Sequence, residues 1–174
     1  APPPPTDIHA SRLLTPAPAP ADRSPPSGPR DVAGRAFSRD GHMIYVAENL
    51  ADSIVVVDLA SHRIVQRLGT GSYPYAVVAA ADGRVYVSNW GAGSVSVYHA
   101  LASGRLAAER PIDVGRHPSA LTLSANGSRL FAASASTDRV AVVDTRSPRV
   151  IRWLLDPPPA DPAAPSPPAA TPRS

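Results

Sequence analysis

The stretch that decides the fold is DGRVYVSNWGAGSVSVY, residues 82–98. It opens with Asp82 and Gly83, a turn dipeptide whose glycine adopts the positive φ angles that tight hairpin turns need. Residues 85–88 are mostly β-branched or aromatic, and residues 94–97 alternate serine with valine, as half-buried strands do. The segment between them contains two glycines. The stretch therefore predicts a β-hairpin with an irregular loop.

The chain repeats this hairpin pattern three times. Each copy has an aromatic residue at the same place in its first strand, namely Tyr45, Tyr86 and Phe131, which are 41 and 45 positions apart. Strand-like segments precede and follow each hairpin, and residues 101–110 form a longer outer loop with room for one or two helical turns. About four strands in a repeat of this length are typical of a β-propeller blade. We predict an all-β fold, a partial β-propeller with about three four-stranded antiparallel blades at residues 32–71, 75–115 and 119–155.

Proline is concentrated at the two ends of the chain. Of the 22 prolines, only Pro74, Pro111, Pro118 and Pro148 lie within residues 31–156. The terminal segments, residues 1–30 and 157–174, combine proline with alanine and serine and contain few side chains that a core would bury. We therefore predict two disordered Pro-rich tails around a folded part at residues 31–156.

Charge and cysteine content narrow the classes of function. The net charge is +3, and the 17 basic residues are all arginines without a run, so the charge gives no argument for a nucleic-acid or membrane surface. The absence of cysteine excludes disulfides and thiol catalysis. No apolar run in the sequence approaches the length of a membrane-spanning helix, about 18 residues or more.

The repeat also resembles a known family. Residues 45–48 (YVAE) and 86–89 (YVSN), each followed by a valine-rich strand, resemble the YVTN β-propeller repeat of YncE-like proteins, as does the connector VGRHP at residues 114–118. This resemblance covers about residues 32–155 and implies the propeller fold. Members of the family include periplasmic binding proteins, surface-layer proteins and propellers fused to enzymes. A closed propeller has about 4–8 blades, so three blades imply a piece of a longer propeller or closure by self-association.

In a propeller, the loops that join the second and third strands of the blades lie on the same rim as the connectors between blades. We call this surface the loop rim. Ligands usually bind at such a rim, because rigid strands hold its loops in place. The candidate binding residues expected there are Glu48, Asn49, Tyr73, Tyr75, Asn89, Trp90, Arg116, His117 and Arg139.

Trp90 is the most informative of these candidates, because the rest of its loop consists of small side chains. If exposed, the indole is a stacking platform for a base, a sugar or a peptide side chain. The alternative is that it packs across the cleft between two blades. Tyr73 and His117 each precede a proline at the same repeat position, and their alternative role is to cover the edge of the next blade.

The sequence contains no recognisable catalytic or metal-binding motif. Its five histidines lack the spacing of metal ligands, and no G-x-S-x-G elbow presents a nucleophilic serine. Asp58 and Asp144 fill one repeat position, where each is expected to end a strand and cap a turn. Its glycine-containing segments lack the lysine and the helix of a phosphate-binding loop. We therefore predict no catalytic residue, no metal and no cofactor.

These observations favour a non-catalytic binding or interaction scaffold, periplasmic or secreted in a bacterium, with a protein or small-ligand partner on the loop rim. Two alternatives remain open. In the first, the chain is the propeller portion of a larger enzyme, such as a propeller fused to a phosphoesterase. In the second, less favoured by the charge, it binds single-stranded nucleic acid through the aromatic side chains and arginines of the loop rim.

Overall fold

The computed structural model describes residues 31–155, which form antiparallel β-strands joined by turns and loops. The predicted Pro-rich tails lie outside the described residues. Within residues 31–155 there are three separate sheets that follow one another along the chain, and the helical structure is limited to one 3-10 turn, Asn49–Ala51. The predicted fold class, an all-β partial propeller with three antiparallel blades, is confirmed.

The strands of each sheet are adjacent in the order of the sequence. The first sheet contains β1 (Val32–Phe37), β2 (Met43–Glu48), β3 (Ser53–Asp58) and β4 (Arg63–Gly69). The second contains β5 (Pro74–Ala79), β6 (Arg84–Asn89), β7 (Ser94–Ala100), β8 (Leu106–Ala108) and β9 (Ile112–Asp113). The third contains β10 (Pro118–Leu123), β11 (Arg129–Ser134), β12 (Arg139–Asp144) and β13 (Arg149–Leu155).

The outer strand of the second sheet is split into β8 and β9, which both pair with β7. Pro111 lies between them, and proline cannot donate a hydrogen bond to a β-ladder. Residues 101–110, which the sequence placed in an outer loop with room for helical turns, instead contain strand β8 at Leu106–Ala108. Leu106 is buried in the core between the first two sheets, and this burial holds the short segment against the sheet.

Alternation along β6 and β7 sends side chains into two separate cores. One core lies between the first and second sheets and contains Tyr45, Ile54, Val56, Val85, Val87 and Tyr98. The other lies between the second and third sheets and contains Tyr86, Val95, Val97, Leu130, Ala141 and Val143. Because successive strand residues point to opposite faces, one pair of strands serves both cores. The second sheet is therefore buried on both faces.

The inner strands of the three sheets lie side by side. Strand β5 contacts β1 on one side and β10 on the other. A Cβ atom added at Gly34 in β1 would lie 2.7 Å from the Val77 backbone nitrogen and closer still to the Tyr75 carbonyl oxygen. Only glycine permits this backbone approach. The sheets therefore radiate from a shared inner edge, as consecutive propeller blades do.

Two buried tyrosines provide a matched test of these cores. The Tyr98 hydroxyl donates a hydrogen bond of 2.6 Å to the Gly69 carbonyl oxygen, whereas the buried Tyr86 hydroxyl has no hydrogen-bond partner within residues 31–155. We expect Tyr98→Phe to lower the free energy of unfolding by about 1 kcal/mol. Tyr86→Phe should be neutral or stabilising, because it removes an unsatisfied polar atom. Urea unfolding followed by circular dichroism measures both; a larger loss in Tyr86→Phe would refute the assignment.

The same tyrosines predict an alkaline limit of stability. Burial raises the pKa of Tyr86 and of Tyr98 from 10.0 to about 12. Both phenols hold their protons more tightly in the folded state, so their stabilising contribution is complete below pH ~10 and is lost as the pH rises through ~12. We expect the free energy of unfolding to fall in this window, and to fall less steeply in Tyr86→Phe. Equal slopes for the two proteins would contradict this cause.

Candidate functional site

The first two loops of the loop rim are each tied by a backbone hydrogen bond to the connector that follows. Asp52, Gly93 and Asp138 occupy the same turn position in the three loops, and all have positive φ angles, of 47°, 66° and 48°. The Thr70 N–H donates to the Asp52 carbonyl oxygen at 2.9 Å, and the Val114 N–H donates to that of Gly93 at 3.1 Å. Loops and connectors therefore form one hydrogen-bonded surface.

The two connectors are fixed in turn to the next blade. The Tyr73 carbonyl oxygen accepts a hydrogen bond of 2.9 Å from Trp90 N–H, and that of His117 accepts one of 3.0 Å from Ala135 N–H. Tyr73 and His117 have φ angles of 52° and 53°. This left-handed conformation costs a residue with a Cβ atom roughly 1–2 kcal/mol. The repeat therefore imposes the same backbone on both residues.

Three side chains of the loop rim form an aromatic row, with Trp90 in the middle. The Tyr73 ring meets the Trp90 ring edge-on, with centroids 6.4 Å apart and planes at 88°. The His117 ring stacks on Trp90, with centroids 4.1 Å apart and planes at 15°. Trp90 nevertheless remains 39% exposed, and Tyr73 is 50% exposed. Trp90 thus bridges two connectors and still presents part of its ring to solvent.

His117 also contacts Ser136, a residue that the sequence did not single out. The His117 Nδ1 atom lies 2.7 Å from the Ser136 Oγ atom. Ser136 is exposed in the β11–β12 loop, 19 positions along the chain from His117. No motif links the two residues. The one sequence signal for this contact is that the loop containing Ser136 and the connector containing His117 are both predicted to lie on the loop rim.

Two asparagines of the candidate set hold the loop rim together. Asn89, expected on the surface, is fully buried at the base of its loop, where Nδ2 donates to Ser94 Oγ at 3.1 Å and to Ser96 Oγ at 2.9 Å. Its amide therefore fixes the loop that carries Trp90. The Asn49 Nδ2 atom donates to the Pro74 carbonyl oxygen at 3.0 Å, which joins the first blade to the second.

Glu48 was likewise expected on the surface and is only 5% exposed. Its carboxylate accepts two hydrogen bonds from the Arg67 guanidinium, at 2.9 Å and 3.0 Å, and one from Ser53 Oγ at 2.9 Å. The hydrogen bond from Arg67 to Glu48 raises the pKa of Arg67. A bidentate ion pair of this kind fixes both side chains. Glu48 therefore stabilises the first blade and is not a surface residue of the loop rim.

The other three candidates are exposed. Tyr75 lies in β5, close in sequence to Tyr73 of the aromatic row, and is 50% exposed. Arg116 directly precedes His117, and Arg139 opens β12 after the loop that contains Ser136. Within residues 31–155, neither arginine makes a side-chain hydrogen bond or an ion pair. The loop rim therefore carries two positive charges that are free to meet an anionic group.

The rest of the described chain offers little other chemistry. A cavity of about 380 Å³ opens on the opposite rim between the first two blades and is lined by Arg39, Tyr45 and Arg84 among others. Residues 31–155 contain no cluster of three or more acidic or histidine side chains that could hold a metal ion. The described strands and loops include no helix long and apolar enough to cross a membrane.

Solved structures with very different activities share this fold. Hydrazine synthase of Kuenenia stuttgartiensis has a TM-score of 0.68 at 20% identity, over 79% of this chain and 39% of its own. A periplasmic gluconolactonase of Pseudomonas aeruginosa has a TM-score of 0.64 at 23% identity, over 72% and 41%. Virginiamycin B lyase of Staphylococcus aureus has a TM-score of 0.62 at 14% identity, over 77% and 44%. The chain thus spans less than half the length of each structure. At these identities the likeness shows the fold alone.

The expectation of a non-catalytic scaffold is wrong, and it is overturned by a family match. No curated protein matches the chain. A family model described as "Lactonase, 7-bladed beta-propeller" matches residues 7–149, which is more than half of the chain. The alternative that the chain is the propeller portion of a larger enzyme agrees better with this match. The chain belongs to the seven-bladed β-propeller lactonase family.

Proposed function

We propose that this chain supplies three blades to a lactone-hydrolysing propeller and that a sugar-acid lactone binds on the aromatic row. The family match supports hydrolysis of a lactone, and the Pseudomonas aeruginosa neighbour is named a gluconolactonase. The observation that carries the proposal is the row itself. Trp90 is held between Tyr73 and His117 and remains 39% exposed on the rim.

The chemistry of the loop rim suits such a ligand. A sugar-derived ring presents C–H groups that pack on an aromatic face, and its hydroxyl groups need polar partners at the edge of that face. Hydrolysis of a lactone produces a carboxylate. The guanidinium groups of Arg116 and Arg139, which have no partner within residues 31–155, can bind that carboxylate by donating paired hydrogen bonds to its oxygens.

We also infer that the repeats are of the YVTN type and that the protein is exported. Residues 45–48 end strand β2 and residues 86–89 end strand β6, and each segment leads into a loop of the loop rim. Both segments begin with a buried tyrosine. The Pseudomonas aeruginosa neighbour, named a periplasmic protein, supports export. Four further blades from a longer chain would complete a ring of seven, whereas a second copy of the three described blades would give a ring of six.

Tryptophan fluorescence tests the binding site directly. Trp153→Phe leaves Trp90 as the only tryptophan of the chain. We expect the fluorescence of this variant to change in a saturable way when D-glucono-δ-lactone is added. We expect the wild-type chain to hydrolyse the lactone above its spontaneous rate in a pH-stat. Trp90→Ala should lower kcat/KM about tenfold or more, as expected for the loss of ~1.4 kcal/mol of stacking.

The control is Phe37→Ala, which truncates a 60% exposed aromatic side chain at the end of β1, beside the β1–β2 turn on the opposite rim. It should leave kcat/KM unchanged. The absence of both a fluorescence response and hydrolysis above the background would refute the proposed function. Equal losses in both alanine variants would show that the aromatic row is not the binding site.

A further inference from the structure

We propose that His117 is the general base of this lactone hydrolysis and that Ser136 is the residue that positions it. This inference rests on the proposed function and adds a catalytic role for one side chain of the aromatic row. It starts from the observation that three structural elements converge on the His117 imidazole. These elements are its own connector, the β6–β7 loop and the β11–β12 loop.

The His117 ring is restrained on two sides. Trp90 covers one face of the imidazole at 4.1 Å, with the planes within 15° of parallel, and Ser136 Oγ meets Nδ1 at 2.7 Å. The backbone is fixed as well, because the His117 carbonyl oxygen accepts the Ala135 N–H at 3.0 Å. A base that is already oriented loses little conformational freedom when it meets its substrate.

The other ring nitrogen is available for chemistry. Within residues 31–155, Nε2 of His117 has no hydrogen-bond partner, and the residue is only half-buried. We assign the Nδ1 atom as the donor to Ser136 Oγ, which leaves the lone pair of the neutral imidazole on Nε2. An imidazole nitrogen with a free lone pair can take a proton from water and return it, which is what a general base in hydrolysis does.

The repeat supplies an internal comparison. Tyr73 occupies the equivalent connector position, has nearly the same φ angle, and makes the equivalent backbone hydrogen bond to the next blade. The fold therefore does not require histidine at this position. His117 differs from Tyr73 because its ring carries a nitrogen that can accept a proton. Its ring stacks on Trp90, which Tyr73 meets edge-on, and it contacts the Ser136 hydroxyl that orients it.

The proposed step balances as a simple hydrolysis. Nε2 removes a proton from a water molecule while the water oxygen attacks the carbonyl carbon of the lactone. The ring C–O bond then breaks, and the imidazolium returns its proton to the departing oxygen. The products are a free hydroxyl group and a carboxylic acid, which ionises. The step consumes one water molecule and changes no oxidation state.

The experiment compares four single variants of the full 174-residue chain. We expect His117→Ala and His117→Gln to lower kcat for D-glucono-δ-lactone about 100-fold or more, with the Gln variant preserving the bulk of the side chain. Added imidazole should restore part of the activity of His117→Ala, an effect that a purely structural role would not give. Ser136→Ala should lower kcat by a smaller factor and leave KM unchanged. His99→Ala, at an exposed histidine in β7, should be unaffected.

The outcomes separate the two proposals. Full activity in His117→Ala, or a loss that imidazole does not rescue, would overturn the role of His117 and leave the proposed function standing. Loss of all activity in Ser136→Ala, with covalent labelling of Ser136 by a fluorophosphonate in the wild type, would identify Ser136 as a nucleophile and also overturn the role. A wild-type chain without lactonase activity would overturn both.

Discussion

The structure depends on the burial of the second sheet on both faces. Strands β6 and β7 alternate strictly, so that Tyr86 and Val97 enter one core while Val85 and Val87 enter the other. Each buried aliphatic side chain contributes roughly 1.5–3 kcal/mol, and these contributions set the orientation of both flanking sheets. The loops at the ends of β6 and β7 are therefore presented from a fixed base. The packing of β6 and β7 therefore fixes the position of Trp90 on the surface.

On that base, the repeat fixes the backbone of the loop rim and leaves its side chains free to differ. The hydrogen bonds from Trp90 to Tyr73 and from Ala135 to His117 are the same interaction in successive blades. The left-handed conformations of Tyr73 and His117 are likewise a property of the repeat, since both residues have them. Backbone strain at His117 is thus no sign of function by itself. The side chain and its contact with Ser136 are what distinguish this position.

The sequence predicted the three blades because hairpin turns and alternating valines are local signals, repeated at a nearly constant spacing. It missed β8, whose short segment is held by the burial of Leu106. It placed Glu48 and Asn89 on the surface because a strand-to-loop boundary does not show which way a side chain turns. The contact between His117 and Ser136 joins two loops through tertiary structure, so spacing did not reveal it. The sequence also contains no recognisable catalytic motif, so residue spacing did not indicate the enzyme family.

The aromatic row is complete within the three described blades, whatever closes the ring. Tyr73 lies between the first and second blades, Trp90 projects from the second, and His117 leads into the third, where Ser136 contacts it. The contacts with Trp90 and Ser136 that orient the His117 ring both lie within residues 31–155. The central channel differs in this respect, because its walls require the inner strands of all blades. A site on the loop rim can thus be formed by these blades alone, whereas a site inside the channel cannot.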